Sequence, residues 1–343
     1  MAVVPNTSFK EQLMQSIGPE VAKIEHAMRL DFQETTAGAD PLLTDVLEYG
    51  IFNGGKRLRP LLVVLAARLC GHKNPEKNNE SIHQLAIAFE YIHGASLFHD
   101  DVIDRADMRR GKPTVNNQFG VIAAILGGDF LLSRSMFLIG THGGNEALQI
   151  FCQATNGMID GEFLQLRNAM NCNLSEEDYY AVVTGKTALL IAATCEIGAL
   201  AGGASVMEQK ALAEYGISLG TAFQIIDDLL DYQGDPAQTG KAVGNDFQEG
   251  KMTLPVILAL GTANLMDKKR LLFLLQNENE RQSGLDEALQ LIEKYDGFGK
   301  SRFMAESIIT KALSGLGIFQ EKSCLPVLEV LAVLAQYVLA RKK

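Results

Sequence analysis

Residues 60–71, PLLVVLAARLCG, carry the periodicity that decides the fold class. Their apolar side chains recur every three or four positions, as on one face of an α-helix, at Leu61, Val64, Leu65 and Leu69. The proline suits the first turn of a helix and the glycine suits its end. The same spacing recurs along most of the chain, whereas the strict alternation of a half-buried strand is scarce. The sequence therefore predicts an all-α fold.

The 343 residues are enough to bury a large core. They contain no Gly/Pro-rich linker and no repeat of solenoid period, so we expect one domain of ten or more helices, residues 1–343. Ser175 and Asp178 resemble a capping box that opens one of them. Residues 189–207 form the longest weakly polar stretch, but Glu196 and a glycine pair interrupt it. We interpret this stretch as a buried helix and not as a membrane span.

Charge and cysteine usage narrow the functional classes. A formal net charge of -10 at pH 7 disfavours general binding to nucleic-acid backbones, although a local basic pocket is compatible with it. The five cysteines show no CxxC spacing, which indicates reduced thiols and neither a zinc site nor a disulfide framework. The first residues lack the basic region and apolar run of a signal peptide, so we expect a cytoplasmic protein.

Two acidic motifs of identical spacing lie in apolar surroundings. The first is in residues 97–113, LFHDDVIDRADMRRGKP, and the second is in residues 223–235, FQIIDDLLDYQGD. Each places three aspartates at positions i, i+1 and i+4, which an α-helix brings within an arc of about 100°. Like charges so close destabilise a helix, so a positive partner must compensate them. The aspartates are Asp100, Asp101 and Asp104, and Asp227, Asp228 and Asp231.

Magnesium is the cation that these motifs favour. It takes hard oxygen ligands and is commonly held by one or two carboxylates together with substrate phosphates. Neither motif has the central glycine and terminal glutamate of an EF-hand loop, which disfavours calcium. A solvated acidic face is the alternative for either motif alone, but two identical motifs in apolar sequence favour a metal site.

Basic residues near the acidic motifs are candidates for an anion site. Lys56, Arg57 and Arg59 follow two glycines at the start of a helix, where free N–H groups and the helix dipole also attract anions. Arg109 and Arg110 follow the first motif, and the planar guanidinium suits phosphate oxygens. Taken singly, each of these side chains is also compatible with a solvated surface position.

Four further residues have both a functional and an ordinary interpretation. Lys186 lies in an otherwise apolar segment, where a lysine needs a partner or snorkels from a helix edge. Lys241 and Lys251 flank the loop after the second motif and are otherwise solvated charges. His93 lies about two helical turns before Asp100 on the same face, and a lone histidine is otherwise a satisfied core residue.

These segments together resemble the trans-type isoprenyl diphosphate synthases, also called polyprenyl synthetases. GGKRLRP, HDDVIDRADMRRGKPT, GEFLQL, GKT, FQIIDDLLD and GNDFQEGKMTLP occur in that family's order, from Gly54 to Pro255. The resemblance implies one large helical domain of the isoprenoid synthase type around a deep central cavity, usually as a homodimer. It also implies a transferase that condenses isopentenyl diphosphate with an allylic diphosphate.

The resemblance further implies a role for each matching residue. Two or three magnesium ions would be held against the allylic diphosphate by Asp100, Asp101, Asp104, Asp227, Asp228 and Asp231. The allylic diphosphate would be bound by Arg109, Lys186, Lys241 and Lys251. Isopentenyl diphosphate would be bound by Lys56, Arg59, His93 and Arg110. Thr187 and Gln224 would lie near the reacting carbons, and Lys186 would take part in catalysis together with the aspartates.

Product length is expected to depend on residues just before the first motif. Ala95 and Ser96, the fifth and fourth residues before Asp100, are small where short-chain members of the family carry an aromatic plug. One helical turn rises about 5.4 Å, so each open turn adds about one isoprene unit of room. We expect a medium or long product of the quinone side-chain type, for example octaprenyl. A deeper floor could come from Phe89, Ile92, Phe130, Met136 or Phe137.

Three other functions stay open. A short-chain farnesyl or geranylgeranyl diphosphate synthase is the first alternative. A terpene cyclase normally carries a second motif of the Asn/Ser/Glu type, and a non-catalytic synthase subunit tends to lose the aspartates, all six of which are present here. We expect no nucleic-acid partner, and membrane contact only for release of an apolar product.

Overall fold

The computed structural model describes residues 7–71, 79–171, 175–234, 243–319 and 321–341. Helices make up most of these residues, which confirms the predicted all-α class. Lys241, which the resemblance assigns to the allylic diphosphate, lies outside the described residues, as does Cys172.

The helices follow one another along the chain with short connections. The first six are α1 Thr7–Thr35, α2 Pro41–Ile51, α3 Leu58–Cys70, α4 Asn79–Ile103, α5 Val115–Phe119 and α6 Val121–Asn171. They are followed by α7 Glu176–Val183, a π-helix Thr184–Ala188, α8 Leu189–Ala201 and α9 Val206–Gln233. The remaining helices are α10 Asn245–Gln248, α11 Leu254–Thr262, α12 Leu265–Gln276, α13 Glu278–Arg281, α14 Leu285–Lys294, α15 Gly297–Gly315 and α16 Leu325–Leu339, with single 3₁₀ turns at Leu316–Ile318 and Lys322–Cys324.

The described part of the chain contains one small sheet. Strands β1 Met108–Arg109 and β2 Lys112–Pro113 pair antiparallel, with Arg109 opposite Lys112. The two residues between them, Arg110 and Gly111, both have positive φ, 52° and 77°. Positive φ at both central residues is the geometry of a tight two-residue hairpin turn. This hairpin projects from the end of α4 and carries two of the predicted diphosphate-binding arginines.

The chain divides into two compact units, each made of separate segments. The first unit takes the described residues of 1–152, 193–213 and 318–331, and the second takes those of 153–192, 214–317 and 332–343. The single domain and the deep central cavity expected from the sequence stay predictions.

The core of the first unit is centred on α3, in which all of residues 60–67 are buried. The helix ends before Gly71, as predicted. The C-terminal part of α8 lies directly on α3, because a Cβ at Gly198 would come within 2.4 Å of the Val63 carbonyl oxygen. In α6, Gly144 has φ 74° and ψ −168°, a conformation that glycine adopts readily, and two helical segments meet there.

The second unit contains the C-terminal part of α6, α7, the π-helix and most of α9. Ser175 accepts a hydrogen bond from the backbone nitrogen of Asp178 at 3.2 Å, which confirms the predicted cap of α7. Close packing joins α6 to the π-helix, since a Cβ at Gly161 would lie 2.5 Å from the Lys186 nitrogen. An open cleft of about 520 Å³ lies between α6, α7 and the π-helix.

Two stretches among the described residues are long and apolar enough to cross a membrane by length and composition alone. They are Val121–Ala169 and Glu176–Ala201. The buried core helix of a soluble protein passes the same test, and 61% of the most apolar window in the second stretch is buried. The helix predicted within residues 189–207 is therefore present and largely buried, as the sequence indicates.

Candidate active site

The first aspartate motif lies at the C-terminal end of α4. Asp100 and Asp101 belong to the last helical turn, and Asp104 follows it, with its backbone nitrogen 2.8 Å from the Asp100 carbonyl oxygen. Asp104 is exposed, whereas Asp101 is buried. Two nitrogens of Arg109, Nε and Nη2, contact Asp101 Oδ1 at 2.8 and 2.7 Å. The buried aspartate thus orients an arginine of the hairpin, while the exposed one presents its oxygens outward.

A cluster of positive charge surrounds His93, two turns before Asp100 on α4. Burial holds the pKa of His93 well below its ordinary value, and the charges of Arg59, Arg110, Arg109 and Arg57 lower it further. Cations crowded in this way repel one another, and an anion relieves the repulsion, as Glu90 does beside Arg57. The described part of the first unit therefore brings together His93, Arg59 and Arg110, three of the four residues predicted to bind one diphosphate.

Arg59 is the member of this cluster whose bonding is incomplete. Its Nε is shielded from solvent and has no hydrogen-bond partner among the described residues. Burial lowers the pKa of the guanidinium, Glu90 raises it and Arg110 lowers it. A buried donor without a partner costs about 1–3 kcal/mol, so a bound anion is the natural acceptor.

Arg57 has a different role from its neighbours in the GGKRLRP segment. It is 4% exposed and has φ 50°, in the left-handed region. Its Nη1 donates to Glu90 at 2.6 Å and its Nη2 donates to the Ile51 carbonyl at 3.1 Å, while its Nε lies 3.4 Å from Glu25. These bonds tie the segment to α1, α2 and α4, so Arg57 holds the loop that presents the exposed Lys56.

The loop before α3 depends on Gly54, which has φ 81°. The Gly54 carbonyl accepts a hydrogen bond from Arg110 Nη1, which links this loop to the hairpin. A side chain at Gly54 would strain the backbone, because L residues rarely adopt this conformation. The glycine pair therefore brings Arg110 and the GGK loop together, as predicted for a shared diphosphate site.

The second aspartate motif lies on α9. Asp228 is 4% exposed, accepts a hydrogen bond from Tyr179 Oη at 2.7 Å and accepts another from Gln224 Nε2 at 2.9 Å. Burial raises the pKa of Asp228, as do the negative charges of Asp246 and Asp227, while its two hydrogen bonds lower it. Asp231 accepts from the backbone nitrogen of Asp246 at 3.0 Å.

Asp227 is the exposed member of the second motif. One of its oxygens lies 3.1 Å from Arg341 Nη2. The same guanidinium stacks over the Phe223 ring, 4.1 Å from its centroid. Arg341 thus forms an ion pair with this aspartate.

Lys186 lies in the π-helix, a feature that often marks functional sites. Its ammonium contacts Glu162 Oε2 at 2.5 Å and Gln165 Oε1 at 3.4 Å. The partner expected for a lysine in apolar sequence is therefore a carboxylate of the GEFLQL segment. Next to it, Thr187 Oγ1 donates to Gln224 Oε1 at 3.2 Å, so the two residues predicted near the reacting carbons are in contact.

Lys251 is paired in this structure with acidic side chains of its own loop. Its Nζ lies 3.3 Å from Asp246 Oδ1 and 2.6 Å from Glu249 Oε2. Both contacts lie within a few residues along the chain, and the assignment of Lys251 to the allylic diphosphate stays a prediction.

The predicted chain-length residues occupy different environments on α4. Ala95 is 2% exposed, whereas Ser96 is half-buried and donates to the His93 carbonyl at 3.0 Å. Among the candidate floor residues, Phe89 is fully buried and packs edge to face on Phe151 with centroids 5.8 Å apart. Ile92 is also buried and Phe130 is half-buried, but Met136 and Phe137 are exposed on the surface of the first unit, which does not favour a floor there.

The donor chemistry of both motifs fits a hard divalent cation. Within the described ranges, no three His, Cys, Asp or Glu side chains meet as a metal-binding cluster. In the second motif, Asp228 and Asp231 each accept hydrogen bonds within the protein, and this is one reason why their side chains do not form such a cluster. Magnesium needs only one or two carboxylates when substrate phosphates complete its shell, and the exposed Asp104 and Asp227 can supply such oxygens.

Several residues with a place in the site were not assigned one from the sequence. Glu162 and Gln165 lie in the GEFLQL segment, and Tyr179 and Arg341 lie outside all of the quoted motifs. Their partners are distant in sequence, 49 residues in the case of Tyr179 and Asp228. No periodic signal marks such pairs.

An all-α scaffold, a basic cluster with an unsatisfied arginine and two aspartate motifs of one spacing are together typical of proteins that bind an anionic ligand with a divalent cation. A family model described as Polyprenyl synthetase matches residues 40–292, well over half of the chain. The chain belongs to this family.

Individual relatives agree with the family match. The octaprenyl diphosphate synthase of Escherichia coli (strain K12) is 37% identical over 280 residues, 82% of this chain and 85% of that protein. The short chain isoprenyl diphosphate synthase of Methanothermobacter thermautotrophicus is 35% identical over 299 residues, which is 86% of this chain and 89% of that protein. A crystal structure of polyprenyl synthase from Caulobacter crescentus CB15, complexed with calcium and isoprenyl diphosphate, matches with TM-score 0.87 and 32% identity over 100% of both chains.

Proposed function

We propose that the protein is a trans-prenyltransferase that condenses isopentenyl diphosphate with an allylic diphosphate and extends it to a medium or long polyprenyl diphosphate. The observation that carries this function is the basic cluster around His93, with the unsatisfied Nε of Arg59, on the helix that also carries the first aspartate motif. A diphosphate-binding pocket two turns from a metal-type motif is what such a reaction requires.

The side chains of this protein act mainly by position and charge. Arg109, held by Asp101, and Lys186, held by Glu162, supply positive charge for the allylic diphosphate as its C–O bond breaks. The isopentenyl double bond then attacks the allylic cation, and the released diphosphate takes the proton. Thr187 and Gln224 place oriented dipoles near the cation, and apolar walls keep out the water that would trap it.

Magnesium belongs to this proposal as two or three ions bound by aspartates of the two motifs. When bound, it neutralises charge on the departing diphosphate as a Lewis acid. In the first motif the exposed Asp104 and the half-buried Asp100 are accessible to an ion, and in the second motif the exposed Asp227 is accessible. The calcium ion in the Caulobacter crescentus polyprenyl synthase supports a divalent cation in the family.

The product length is proposed from α4 and from the relatives. Ser96 is small, half-buried and one turn before Asp100, so this position of α4 itself carries no bulky side chain. The E. coli relative is an octaprenyl diphosphate synthase, which supports a long product. The similar identity of the short-chain relative from Methanothermobacter keeps a short-chain synthase as the second candidate.

Binding of isopentenyl diphosphate tests the basic cluster directly. Replacing Arg59 by alanine removes a charged hydrogen-bond donor, so we expect binding to weaken about 10- to 100-fold. Isothermal calorimetry with isopentenyl diphosphate measures the change. Arg68→Ala is the matched control, because Arg68 lies on the same helix, is 43% exposed and pairs with Glu20. Equal affinities of the wild type and Arg59→Ala would show that the cluster does not bind this diphosphate.

A homodimer is part of the proposal, and the surface of α6 in the first unit supports it. Large apolar side chains are exposed along this helix at Val121, Ile122, Ile125, Leu126, Met136 and Phe137, and Ile122 is 74% exposed. Large exposed apolar side chains concentrated on one helix mark an interaction site, and a second copy of the chain would cover them.

Replacing Leu126 by glutamate places a charge in this apolar surface, so we expect the dimer to dissociate to monomer at micromolar concentration. Light scattering after size-exclusion chromatography gives the mass. Val206→Glu serves as the control, because Val206 is 80% exposed in the same unit but lies on α9. A dimer that persists in Leu126→Glu would place the interface elsewhere.

A cytoplasmic location and membrane contact only during product release stay expectations of the proposal.

A further inference from the structure

Tyr179 and Asp228 form a buried pair behind the second aspartate motif. Tyr179 is 6% exposed and Asp228 is 4% exposed, and the Tyr179 hydroxyl donates to Asp228 Oδ2 at 2.7 Å. The two residues are 49 positions apart, on α7 and α9 of the second unit. A buried carboxylate with an oriented donor is fixed in one rotamer, since turning it would leave an acceptor unsatisfied.

The other oxygen of Asp228 continues the network. Gln224 Nε2 donates to Oδ1 at 2.9 Å, and Gln224 Oε1 accepts from Thr187 Oγ1 at 3.2 Å. One chain of hydrogen bonds therefore runs from Tyr179 through Asp228 and Gln224 to Thr187. In this series of hydrogen bonds, each group orients the next one, and the Tyr179 hydroxyl is the first group.

We propose that Tyr179 is a positioning residue for metal binding at the second aspartate motif. Its hydroxyl fixes the carboxylate of Asp228, which is next to the exposed Asp227 on α9 and is itself one of the aspartates predicted to hold magnesium. This role rests on the proposed function only in assigning the motif to a divalent cation. Replacing a residue that hydrogen-bonds to a metal ligand typically changes metal affinity about 10- to 100-fold.

Tyr180 provides a matched control on the same helix. The two tyrosine rings pack edge to face, with centroids 5.4 Å apart. The Tyr180 hydroxyl is shielded from solvent but has no hydrogen-bond partner among the described residues. Replacing either tyrosine by phenylalanine keeps the ring and its packing, so the comparison isolates the hydroxyl that reaches Asp228.

The test is a titration of magnesium in the presence of inorganic diphosphate, read by calorimetry and by thermal unfolding of the full chain. We expect Tyr179→Phe to raise the magnesium concentration at half-saturation about tenfold, and Tyr180→Phe to leave it unchanged. Unchanged magnesium binding in Tyr179→Phe overturns the proposal, as does an equal shift in both variants. A lower melting temperature of Tyr179→Phe with wild-type magnesium binding shows a merely structural role and overturns it too.

A second measurement follows the two tyrosines themselves in the folded wild type. The chain is labelled with fluorotyrosine, and the fluorine resonance that disappears in Tyr179→Phe is assigned to Tyr179. If Tyr179→Phe does not fold, the Tyr179 resonance is identified by elimination, after the other tyrosine resonances have been assigned from their own variants. We expect this resonance to shift when magnesium and diphosphate are added, and the Tyr180 resonance to stay in place. A Tyr179 resonance that ignores both additions contradicts the proposal. Because neither readout involves prenyl transfer, magnesium binding with the expected shift would support Tyr179 even if the wild type made no polyprenyl product.

Discussion

Asp100→Asn lowers kcat about 100- to 1000-fold and leaves the fold intact. Asparagine has the shape of aspartate but carries no charge, so it would hold a hard divalent cation poorly, and the negative charge of the departing diphosphate would be less well neutralised. Asp100 is half-buried at the end of α4, where the amide fits the same space. The measurement is the steady-state rate at saturating magnesium and substrates, with circular dichroism to confirm folding.

Asp107→Asn is the control for this substitution. Asp107 is exposed, lies three residues after Asp104 and follows the same helix end, but it is not part of the i, i+1, i+4 trio. Loss of one surface charge there should leave kcat within about twofold. If Asp100→Asn were as active as Asp107→Asn, the first motif would not serve catalysis, and an acidic solvated face would explain it.

Ser96→Phe shortens the product to about two or three isoprene units. Ser96 lies one turn before Asp100, and a helix rises about 6 Å over those four residues, so an aromatic ring there closes the path soon after the diphosphate. The residue is half-buried, which leaves room for a larger side chain at this position. Chromatography of the dephosphorylated products gives the chain length.

Ser96→Ala controls for loss of the hydroxyl. It removes only the hydrogen bond to the His93 carbonyl, 3.0 Å long, and leaves the space open. The product should keep its wild-type length in this variant. A long product from Ser96→Phe would show that the growing chain does not pass this face of α4, and the floor would then have to be sought elsewhere.

The parts of the site that follow from local spacing were predictable from the sequence. The aspartate trios need only the helical period, and α4 and α9 carry them as expected. The grouping of Arg59 and Arg110 around His93 also matches the prediction, although it needed the family resemblance, since these residues are far apart along the chain. Local patterns thus predict which residues belong to one motif, and the resemblance predicts which distant residues belong together.

Other features were beyond sequence reasoning for physical reasons. Arg57 and Arg59 are chemically alike and two residues apart. Arg57 donates hydrogen bonds to Glu90 and to the Ile51 carbonyl, whereas Arg59 has a nitrogen without a hydrogen-bond partner among the described residues. The π-helix at Lys186 lies in a segment that has ordinary helical spacing, and its backbone packs closely against Gly161, a contact that the spacing does not reveal. Only tertiary contacts decide such cases.

Incorporation of radiolabelled isopentenyl diphosphate tests the central claim most directly. Purified protein is incubated with magnesium, the label and, separately, dimethylallyl, geranyl or farnesyl diphosphate, and the dephosphorylated products are sized by chromatography. The proposed function predicts long linear prenols in at least one reaction, and their loss in Asp100→Asn or in the presence of a chelator. No incorporation with any starter, from a folded wild-type protein, would contradict it and favour a cyclase or a non-catalytic synthase subunit.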